Sequence, residues 1–562
     1  VEKVADRASF DSSSPSVATV SPDGVIKVVG VGEATVMVRF LDRVAVCRIQ
    51  VPYAAPDAAA FSSFKPRGKI DEMVLARWKL LGLPPANVCT DADFLRRIYL
   101  DVLGLAPPLE TLKAFLADTH PDKRDRAIDA VLARPEYADY WAYKWGDLLR
   151  NNRNLLQEKG MWAFHRWLKA SFRDNVPFDK FVAELLTATG SPYQEGPANF
   201  FRVGNQPEDW AENTAQVFLG VRVQCARCHH HPFENISQAD YFGMAAFFSR
   251  LASKPSGEFG IYGQDRVVYV RDVGEARHPR TGQTMRPQPL GGKPVPAGEA
   301  DPFDRRRDLV KWLADAKNPA LAKNVVNRYW GYLFGRGLVH PIDDIRVTNP
   351  ASCPELFDYL AADLIERKYD VKQLIRELLR SQVYQLASVG NPASAVDADN
   401  KYFARYTPKR LTAEQLLDSI DYACGTQERF NGLPDGFRAS SLPDTTFGNR
   451  FLDAFGRPRR EVSCECERGD SPNMAQALQL LTGSLLNRKV QDPAGRISKL
   501  AKAKTKAPDA VREIYLTALC RSPSESELAE GVALVASAPS LKEGLEDFLW
   551  AMLNTREFQF NR

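Results

Sequence analysis

The 562-residue sequence contains little of the two residue types that most often form disulfides or bind metals. It has nine cysteines and seven histidines. Sparse cysteine excludes a small fold stapled by disulfides, and an odd number leaves at least one cysteine outside any disulfide within the chain. Where these rare residues cluster, the cluster is therefore informative.

Charge of one sign and long apolar runs are also missing. Lys and Arg number 74 against 70 Asp and Glu, the net charge is +4, and basic and acidic residues are interspersed. We therefore expect no nucleic-acid partner. No apolar run approaches the roughly 18–20 residues of a spanning helix, so we expect no transmembrane segment in this chain. The chain opens at Val1 without a leader, and we expect a processed or truncated product.

Several catalytic signatures are absent. The sequence has no Gly-rich phosphate loop, no G-x-S-x-G elbow and no H-E-x-x-H. It therefore offers no motif for nucleotide binding, for a serine hydrolase or for a zinc peptidase. Whether the protein is an enzyme stays open at this point.

One cluster combines the rare residues. Cys225-Ala226-Arg227-Cys228-His229 is a complete C-x-x-C-H, followed by His230 and His231. This spacing is typical of covalent haem attachment, in which the two thiols hold the porphyrin and the histidine ligates iron. Zinc is the alternative, and it needs four nitrogen or sulfur ligands. The motif predicts a bound cofactor at Cys225, Cys228 and His229.

Periodicity divides the chain into a short β segment and a long helical body. Residues 10–52 contain β-branched runs separated by Asp-Gly and Gly-x-Gly turns, which indicate hairpins. From Lys69 onward, apolar residues recur at three- and four-residue steps, which indicates helices, among them 91–103 and 123–132. A Gly-rich, β-branched patch over Gly257–Val273 interrupts them. The fold class predicted is mainly α, a large multi-helix body with a small N-terminal β-sandwich fragment and a minor β insertion.

Five regions follow from these patterns. They are a partial β domain at 1–52, a linker at 53–68, a helical domain with the C-x-x-C-H at 69–255, a β and loop insertion at 256–304, and a second helical domain at 305–562.

The helical body contains an internal sequence repeat. Residues 96–112, RRIYLDVLGLAPPLETL, align without gaps to residues 512–528, REIYLTALCRSPSESEL. Related endings follow at 130–141 and 551–562. We expect residues 96–140 and 512–560 to adopt the same helical hairpin, because the match places equivalent apolar residues on the same helix faces.

Three stretches resemble known families. Residues 211–248, AENTAQVFLGVRVQCARCHHHPFENISQADYFGMAAFF, resemble the planctomycete cytochrome-c-like domain of large exported proteins. Residues 306–388 and 459–483 look like the partner domain of unknown function that follows it. The stretch PSVATVSPDGVIKVVGVGEATVMV resembles a bacterial Ig-like group 2 domain. The resemblance implies cytochrome-like chemistry, and haem c attachment implies an extracytoplasmic protein in the periplasm, at the cell surface or secreted.

Further residues are candidates for the site. Cys464 and Cys466 form a C-x-C pair that is awkward as a local disulfide. With Cys225 and Cys228 it would complete a zinc or iron–sulfur site, and His231 is a further possible ligand. His340 is a possible distal ligand, or a base beside Asp343 and Asp344. The possible axial thioethers are Met161, Met244 and Met474.

Three functional hypotheses remain. The first is an exported redox protein carrying haem c, for electron transfer to a redox partner protein or for a haem-dependent oxidation. The second is a zinc-stabilised or otherwise metal-stabilised surface protein that binds partners or polysaccharide. The third is a glycan-active enzyme using His340, Asp343 or Asp344.

Overall fold

The computed structural model describes residues 7–41, 43–55, 57–256, 266–296, 298–469 and 471–562. Over these residues the chain is mainly α-helical, with 22 α-helices and nine short strands. The predicted fold class is confirmed. None of the described helices is both long and apolar enough to cross a membrane.

The helices, in chain order, are α1 Lys69–Leu81, α2 Asp91–Leu103, α3 Leu109–Ala117, α4 Lys123–Leu132, α5 Glu136–Leu148, α6 Arg153–Arg173, α7 Phe178–Thr187, α8 Pro207–Thr214, α9 Gln238–Ala245, α10 Arg306–Leu313, α11 Ala320–Phe334, α12 Pro354–Glu366, α13 Val371–Arg380, α14 Ala413–Cys424, α15 Arg450–Ala454, α16 Met474–Thr482, α17 Ser484–Val490, α18 Arg496–Lys502, α19 Ala507–Ala518, α20 Glu525–Ser537, α21 Leu541–Leu553 and α22 Arg556–Gln559. The strands are β1 Ser9–Ser12, β2 Ala18–Val20, β3 Ile26–Val28, β4 Gly32–Phe40, β5 Arg43–Val51, β6 Leu251–Pro255, β7 Arg266–Val270, β8 Lys409–Arg410 and β9 Phe560–Asn561.

The chain folds into two compact units, each built from segments that are distant in sequence. The first unit contains Val1–Asn87, Leu148–Tyr406 and Ser463–Glu465. The second contains Val88–Asp147, Thr407–Val462 and Cys466–Arg562. Each unit therefore combines parts of both predicted helical domains.

The N-terminal strands of the first unit form two small antiparallel sheets. One has the order β1-β4-β5 and the other pairs β2 with β3. The predicted turn at Ser21–Gly24 joins β2 to β3, and Gly24 adopts a φ of 86° there. Val17, Ala18 and Ala34 are buried together as a small core.

The predicted β insertion is a hairpin of β6 and β7. These strands pair antiparallel, with Leu251 opposite Val270 and Pro255 opposite Arg266. The part of the predicted Gly257–Val273 patch at 257–265 lies outside the described residues.

Helix α11 lies at the centre of the first unit's helical core. It packs against α12 and α13, and nearly all of its circumference is buried. Trp330 stacks on Phe334 with ring centroids 4.0 Å apart, and Phe403 meets Trp330 edge-on at 5.1 Å. Stacked and edge-on pairs of this kind stabilise a core beyond their buried area. The same helix also buries the polar side chains of Asn324 and Arg328, which bond to the chain at the candidate site.

Helix α14 has the corresponding place in the second unit. Thr412 and Gln415 form a capping box at its start, and Gly425 ends it in the left-handed conformation. Eleven of its twelve residues are buried, and it packs against α15, α17, α18 and α19. A helix that is apolar on every face is normally buried in a core. Helix α14 is not wholly apolar, because it also buries the Glu414 carboxylate.

Buried charges in the second unit are matched by guanidinium groups. Glu414 accepts a hydrogen bond from Tyr143 at 2.7 Å and one from Arg468 at 2.6 Å. Arg468 and Arg460 each donate to Asp147 at 2.8 Å. Because removing one partner leaves the other charge buried and unpaired, such a network is costly to break.

The two copies of the internal repeat have the same order of helices. Residues 96–140 run through α2, α3, α4 and the start of α5, and residues 512–560 run through α19, α20, α21 and α22. Both copies lie in the second unit. In each, an arginine covers the equivalent tyrosine: Arg134 lies 5.9 Å from the ring of Tyr99, and Arg521 lies 5.3 Å from that of Tyr515.

In each copy a residue just beyond the end of the first helix is left-handed. Gly104 has a φ of 71°, and the aligned Cys520 has a φ of 60°. A side chain in this region costs about 1–2 kcal/mol. At Gly104 a Cβ atom would also lie 2.5 Å from the ring of the buried Tyr140. The first copy therefore requires glycine at a place where the second tolerates cysteine.

We predict that Gly104→Ala destabilises the second unit by more than the control Gly432→Ala. Gly432 has a φ of 86°, but a Cβ added there would have no described atom beyond its chain neighbours within 4 Å, so its substitution carries only the backbone cost of about 1–2 kcal/mol. Urea unfolding measures both losses, and hydrogen exchange localises the first to α2 and α5. Equal losses would show that Tyr140 moves aside without cost.

Candidate functional site

The C-x-x-C-H forms one tight helical turn in the first unit. Gln224–Arg227 is a short 3-10 helix, and the Cys225 carbonyl accepts hydrogen bonds from the backbone N–H groups of Cys228 and His229, each at 3.4 Å. Both cysteines are exposed free thiols. Residues three apart on a helical turn lie on one side of it. The turn therefore presents two reduced sulfurs to the same region of solvent.

The ring of His229 is held in one tautomer. Its Nδ1 lies 2.7 Å from the backbone oxygen of His230. A carbonyl oxygen can only accept, so Nδ1 carries the proton and the neutral ring leaves Nε2 with a lone pair. Histidines that bind metals show this arrangement, in which a hydrogen bond from one nitrogen fixes the ring and the other nitrogen faces the metal.

The next two histidines have the opposite arrangement. Nδ1 of His230 accepts the backbone N–H of Gln238, and Nδ1 of His231 accepts that of Phe233, both at 3.2 Å. His231 also hydrogen-bonds the backbone of Arg222. Burial and the nearby Arg346 lower the pKa of His231. Of the three adjacent rings, His229 is thus the one arranged as a ligand, whereas Nδ1 of His231, a ligand expected from sequence, is already engaged.

The loop at 340–349 packs beside the C-x-x-C-H segment. Ile345 donates its backbone N–H to the Gly220 carbonyl at 2.7 Å, and the Thr348 hydroxyl donates to the Phe233 carbonyl at 3.1 Å. The Arg346 guanidinium lies 5.1 Å from the ring centroid of Phe233. The structure therefore brings the predicted His340 loop next to the predicted cofactor segment.

Within that loop, Asp343 is a buried anchor. Arg222 donates to it at 2.6 Å and Gln216 at 2.7 Å, and these bonds hold the pKa of Asp343 below its ordinary value despite burial. Asp344 pairs with Arg346 at 3.2 Å. Both carboxylates proposed for glycan chemistry are thus engaged in ion pairs. Partial burial and Arg336 lower the pKa of His340.

Glu234 anchors the other end of the segment. Its carboxylate accepts the backbone N–H of Val347 at 2.5 Å, and burial raises its pKa to about 7. Its neighbour Asn235 bonds both backbone groups of Val44 in β5, accepting at 2.7 Å and donating at 3.2 Å. The N-terminal sheet is thereby tied to the candidate site.

Helix α11 holds the chain just before the motif. The Asn324 amide donates to the Val217 carbonyl at 2.7 Å, and the Arg328 guanidinium donates to the Gln216 carbonyl at 2.9 Å. Residues 215–219 form a π turn, a form frequent at functional sites. The sequence analysis missed Asn324, Arg328 and Glu234, because single polar residues without a spacing pattern give no signal.

Cys464 and Cys466 are both disulfide-bonded, whereas the other seven cysteines are free thiols. In this state neither sulfur is a thiolate that could bind a metal. The carboxylate between them, Glu465, pairs with the buried Arg328 at 3.3 Å and accepts the Tyr332 hydroxyl. Among the described residues, no group of three or more His, Cys, Asp or Glu side chains is arranged to hold a metal ion.

The candidate axial thioethers have different environments. Met161 and Met244 are buried, in α6 and α9, and Met474 is 75% exposed at the start of α16 in the second unit. Met474 thus belongs to a different unit from the cysteine motif.

We predict that Glu234→Gln removes a pH-dependent component of the first unit's stability. A carboxyl whose pKa is raised to about 7 in the folded state binds its proton more tightly than the unfolded chain does. Its contribution is full below about pH 4.5 and is lost as pH rises towards 7. Glutamine keeps an oxygen for the Val347 N–H but cannot ionise.

Thermal unfolding at several pH values between 4.5 and 7.5 measures the effect. The difference in melting temperature between wild type and Glu234→Gln should grow with pH in favour of the variant. Glu158→Gln, at an exposed position of the same unit, is the control. A difference that is constant across this range would contradict the prediction.

Comparison with known families identifies two domains in tandem. Residues 69–253 match PSCyt2, described as a protein of unknown function (DUF1549). Residues 305–535 match PSD1, described as a protein of unknown function (DUF1553). No curated protein and no solved structure gives a match. The chain thus carries a PSCyt2 domain, which contains the C-x-x-C-H, followed by a PSD1 domain, which supplies α11 and the 340–349 loop.

Proposed function

We propose that the protein is an exported redox protein that carries haem c at Cys225 and Cys228, with His229 as an iron ligand. The observation that carries this proposal is the state of the motif. Two reduced, exposed thiols share one helical turn, and the adjacent imidazole has Nδ1 bonded to a carbonyl and a lone pair at Nε2. These are the donors that covalent haem attachment needs.

The chain's own residues would have distinct roles at the haem. Cys225 and Cys228 would hold the porphyrin covalently, and His229 would present Nε2 to the iron. The His230 carbonyl would fix the imidazole plane and increase its basicity through the Nδ1–H hydrogen bond. The bound group would supply one-electron chemistry. Electron transfer to a partner protein and a haem-dependent oxidation are both compatible with this arrangement.

Exposed apolar side chains border the motif. Phe233 and Val347 are each 43% exposed, and they lie on the two segments that Glu234 joins. Exposed apolar groups of this size are suited to covering a flat hydrophobic ligand. They support a haem lying at the surface of the first unit, where a redox partner has short access to it.

Zinc is less well supported. A structural zinc site needs four ligands, and the motif supplies two thiols and one imidazole with a suitable lone pair. His231 has its Nδ1 engaged, and Cys464 and Cys466 are oxidised. The turn would have to recruit further ligands from outside the described arrangement.

The proposed location follows from the haem, and the proposed family assignments follow from the sequence resemblances. Because covalent haem attachment occurs on the exported side of the membrane, we propose an extracytoplasmic protein. We also propose that the PSCyt2 and PSD1 domains are the planctomycete cytochrome-c-like domain and its partner, and that the N-terminal strands belong to a bacterial Ig-like group 2 module. The small antiparallel sheets of β1 to β5 support the last assignment.

We predict that the protein, exported in a bacterial host that attaches haem to C-x-x-C-H motifs, shows a Soret band and a covalent haem mass that survives denaturation. Cys225→Ser combined with Cys228→Ser should abolish both. Cys47→Ser, at another exposed free thiol of the same unit, should change neither. A protein without haem under these conditions, or a double variant that keeps it, would contradict the proposal.

Histidine variants separate the predicted ligand from its neighbour. His229→Ala should keep the covalent mass but shift the Soret band, because the iron loses its axial nitrogen. His231→Ala should leave the band in place, because Nδ1 of that ring accepts the Phe233 N–H and the proton of the neutral ring therefore lies on Nε2. The reverse pattern would assign the iron to His231.

A further inference from the structure

The second unit contains a cavity that is unrelated to the cysteine motif. Its volume is about 310 Å³, and it is lined by α2, α14 and the loops that follow them. This volume lies at the lower end of the roughly 300–1,000 Å³ typical of ligand pockets. It is large enough for a single small ring.

One part of the cavity wall is apolar and aromatic. Tyr99 and Leu103 line it from α2, and Tyr422 and Phe437 line it from α14 and the loop beyond. The Tyr422 hydroxyl is hydrogen-bonded to the backbone of Leu109. Aromatic rings of this kind give a ligand a flat contact surface with little loss of side-chain freedom.

The other part of the wall is polar and contains an incompletely bonded guanidinium. Arg134 donates two hydrogen bonds to Glu136, at 3.1 and 2.7 Å. Arg438 approaches Glu136 and Asp139 only at 3.9 and 3.6 Å, beyond hydrogen-bond distance. Its Nε is buried and has no hydrogen-bond partner in the described part of the chain. The terminal nitrogens of Arg438 therefore keep N–H donors for a ligand.

The second copy of the internal repeat contains an arginine whose guanidinium is fully engaged in hydrogen bonds. Arg521, at the position of Leu105, donates two hydrogen bonds to Glu557 and two to Glu527, all between 2.6 and 2.9 Å. The first copy has Leu105 and Ala106 there, and both line the cavity.

The charges of the wall nearly cancel. Arg134 is paired with Glu136, and Asp421 is paired with Lys489 at 2.5 Å. The two remaining charges are Arg438 and Asp418, of opposite sign. Both oxygens of the buried Asp418 accept backbone N–H groups, at 2.8 and 2.9 Å, and the carboxylate accepts a further hydrogen bond from the Ser440 side chain. A ligand with a net charge would therefore lie near a group of like charge. This group would be Asp418 for an anion and Arg438 for a cation.

We propose that this cavity binds a neutral polyhydroxylated ring, such as one sugar unit, stacked on the tyrosines and hydrogen-bonded to Arg438 and to carboxylate oxygens. Hydroxyl groups both donate and accept, which suits a wall with one free donor group and several acceptors. The apolar face of a sugar ring suits the aromatic side. This site is independent of the proposed haem.

Saturation-transfer NMR and calorimetry on the full chain test the proposal with five probes: D-glucose, D-galactose and N-acetyl-D-glucosamine as neutral sugars, and D-glucuronate and D-glucosamine as charged counterparts. At least one neutral sugar should bind saturably and more tightly than either charged sugar. Arg438→Gln should weaken that binding at least tenfold, and Ala106→Trp, which fills the cavity, should abolish it.

The control is Arg429→Gln, at an exposed arginine of the same unit that pairs with Asp435 at 3.3 Å and does not line the cavity. It should leave binding unchanged, and an unaltered melting temperature shows that each variant is folded. Absence of saturable binding by all three neutral sugars overturns the proposal. So does tighter binding of a charged counterpart, or binding that Arg438→Gln and Ala106→Trp leave intact.

Discussion

The candidate site depends on the ion pair between Arg222 and Asp343. The cysteine motif is a single turn in a stretch of irregular chain, and one turn is not stable alone. Asp343 binds Arg222, three residues before Cys225, and also Gln216 at the end of the preceding helical segment. Because breaking the pair would leave the buried Asp343 carboxylate without its cationic partner, this anchor fixes where the motif begins. Glu234 and Asn235 fix where it ends.

Both matched domains contribute to this arrangement. The PSCyt2 domain provides the two thiols and the imidazole, and the PSD1 domain provides Asp343 together with Asn324 and Arg328 on α11. These PSD1 side chains satisfy backbone carbonyls of the π turn that leads into the motif. A PSCyt2 domain expressed alone would leave those carbonyls and the Arg222 guanidinium without these partners. This gives a physical reason why the two domains occur together in one chain.

The second unit uses guanidinium groups in two different ways. Arg460 and Arg468 neutralise the carboxylates of Asp147 and Glu414. Arg521 pairs with the partly exposed Glu557 in the second repeat copy. These arginines are saturated and stabilise the packing. Arg438 differs, because its carboxylate neighbours lie too far away for hydrogen bonds. A polar group that folding leaves incompletely bonded at a cavity is available for binding, and this distinction separates a structural ion pair from a candidate site.

The sequence by itself determined the mainly helical body, the boundaries of α2 and α4, the repeated order of helices and the cysteine motif, because helical periodicity and residue spacing are local properties. The C-x-x-C-H spacing already named His229 as the ligand, but it did not determine the tautomer of any of the three rings. His229, His230 and His231 are adjacent and identical in chemistry, and only the backbone groups that folding places against each ring assign its tautomer. The same holds for Cys464 and Cys466, for Glu234 and for the cavity at Arg438. Glu234 and Arg438 meet partners that are distant in sequence, so only the tertiary structure decided what these two residues can bind.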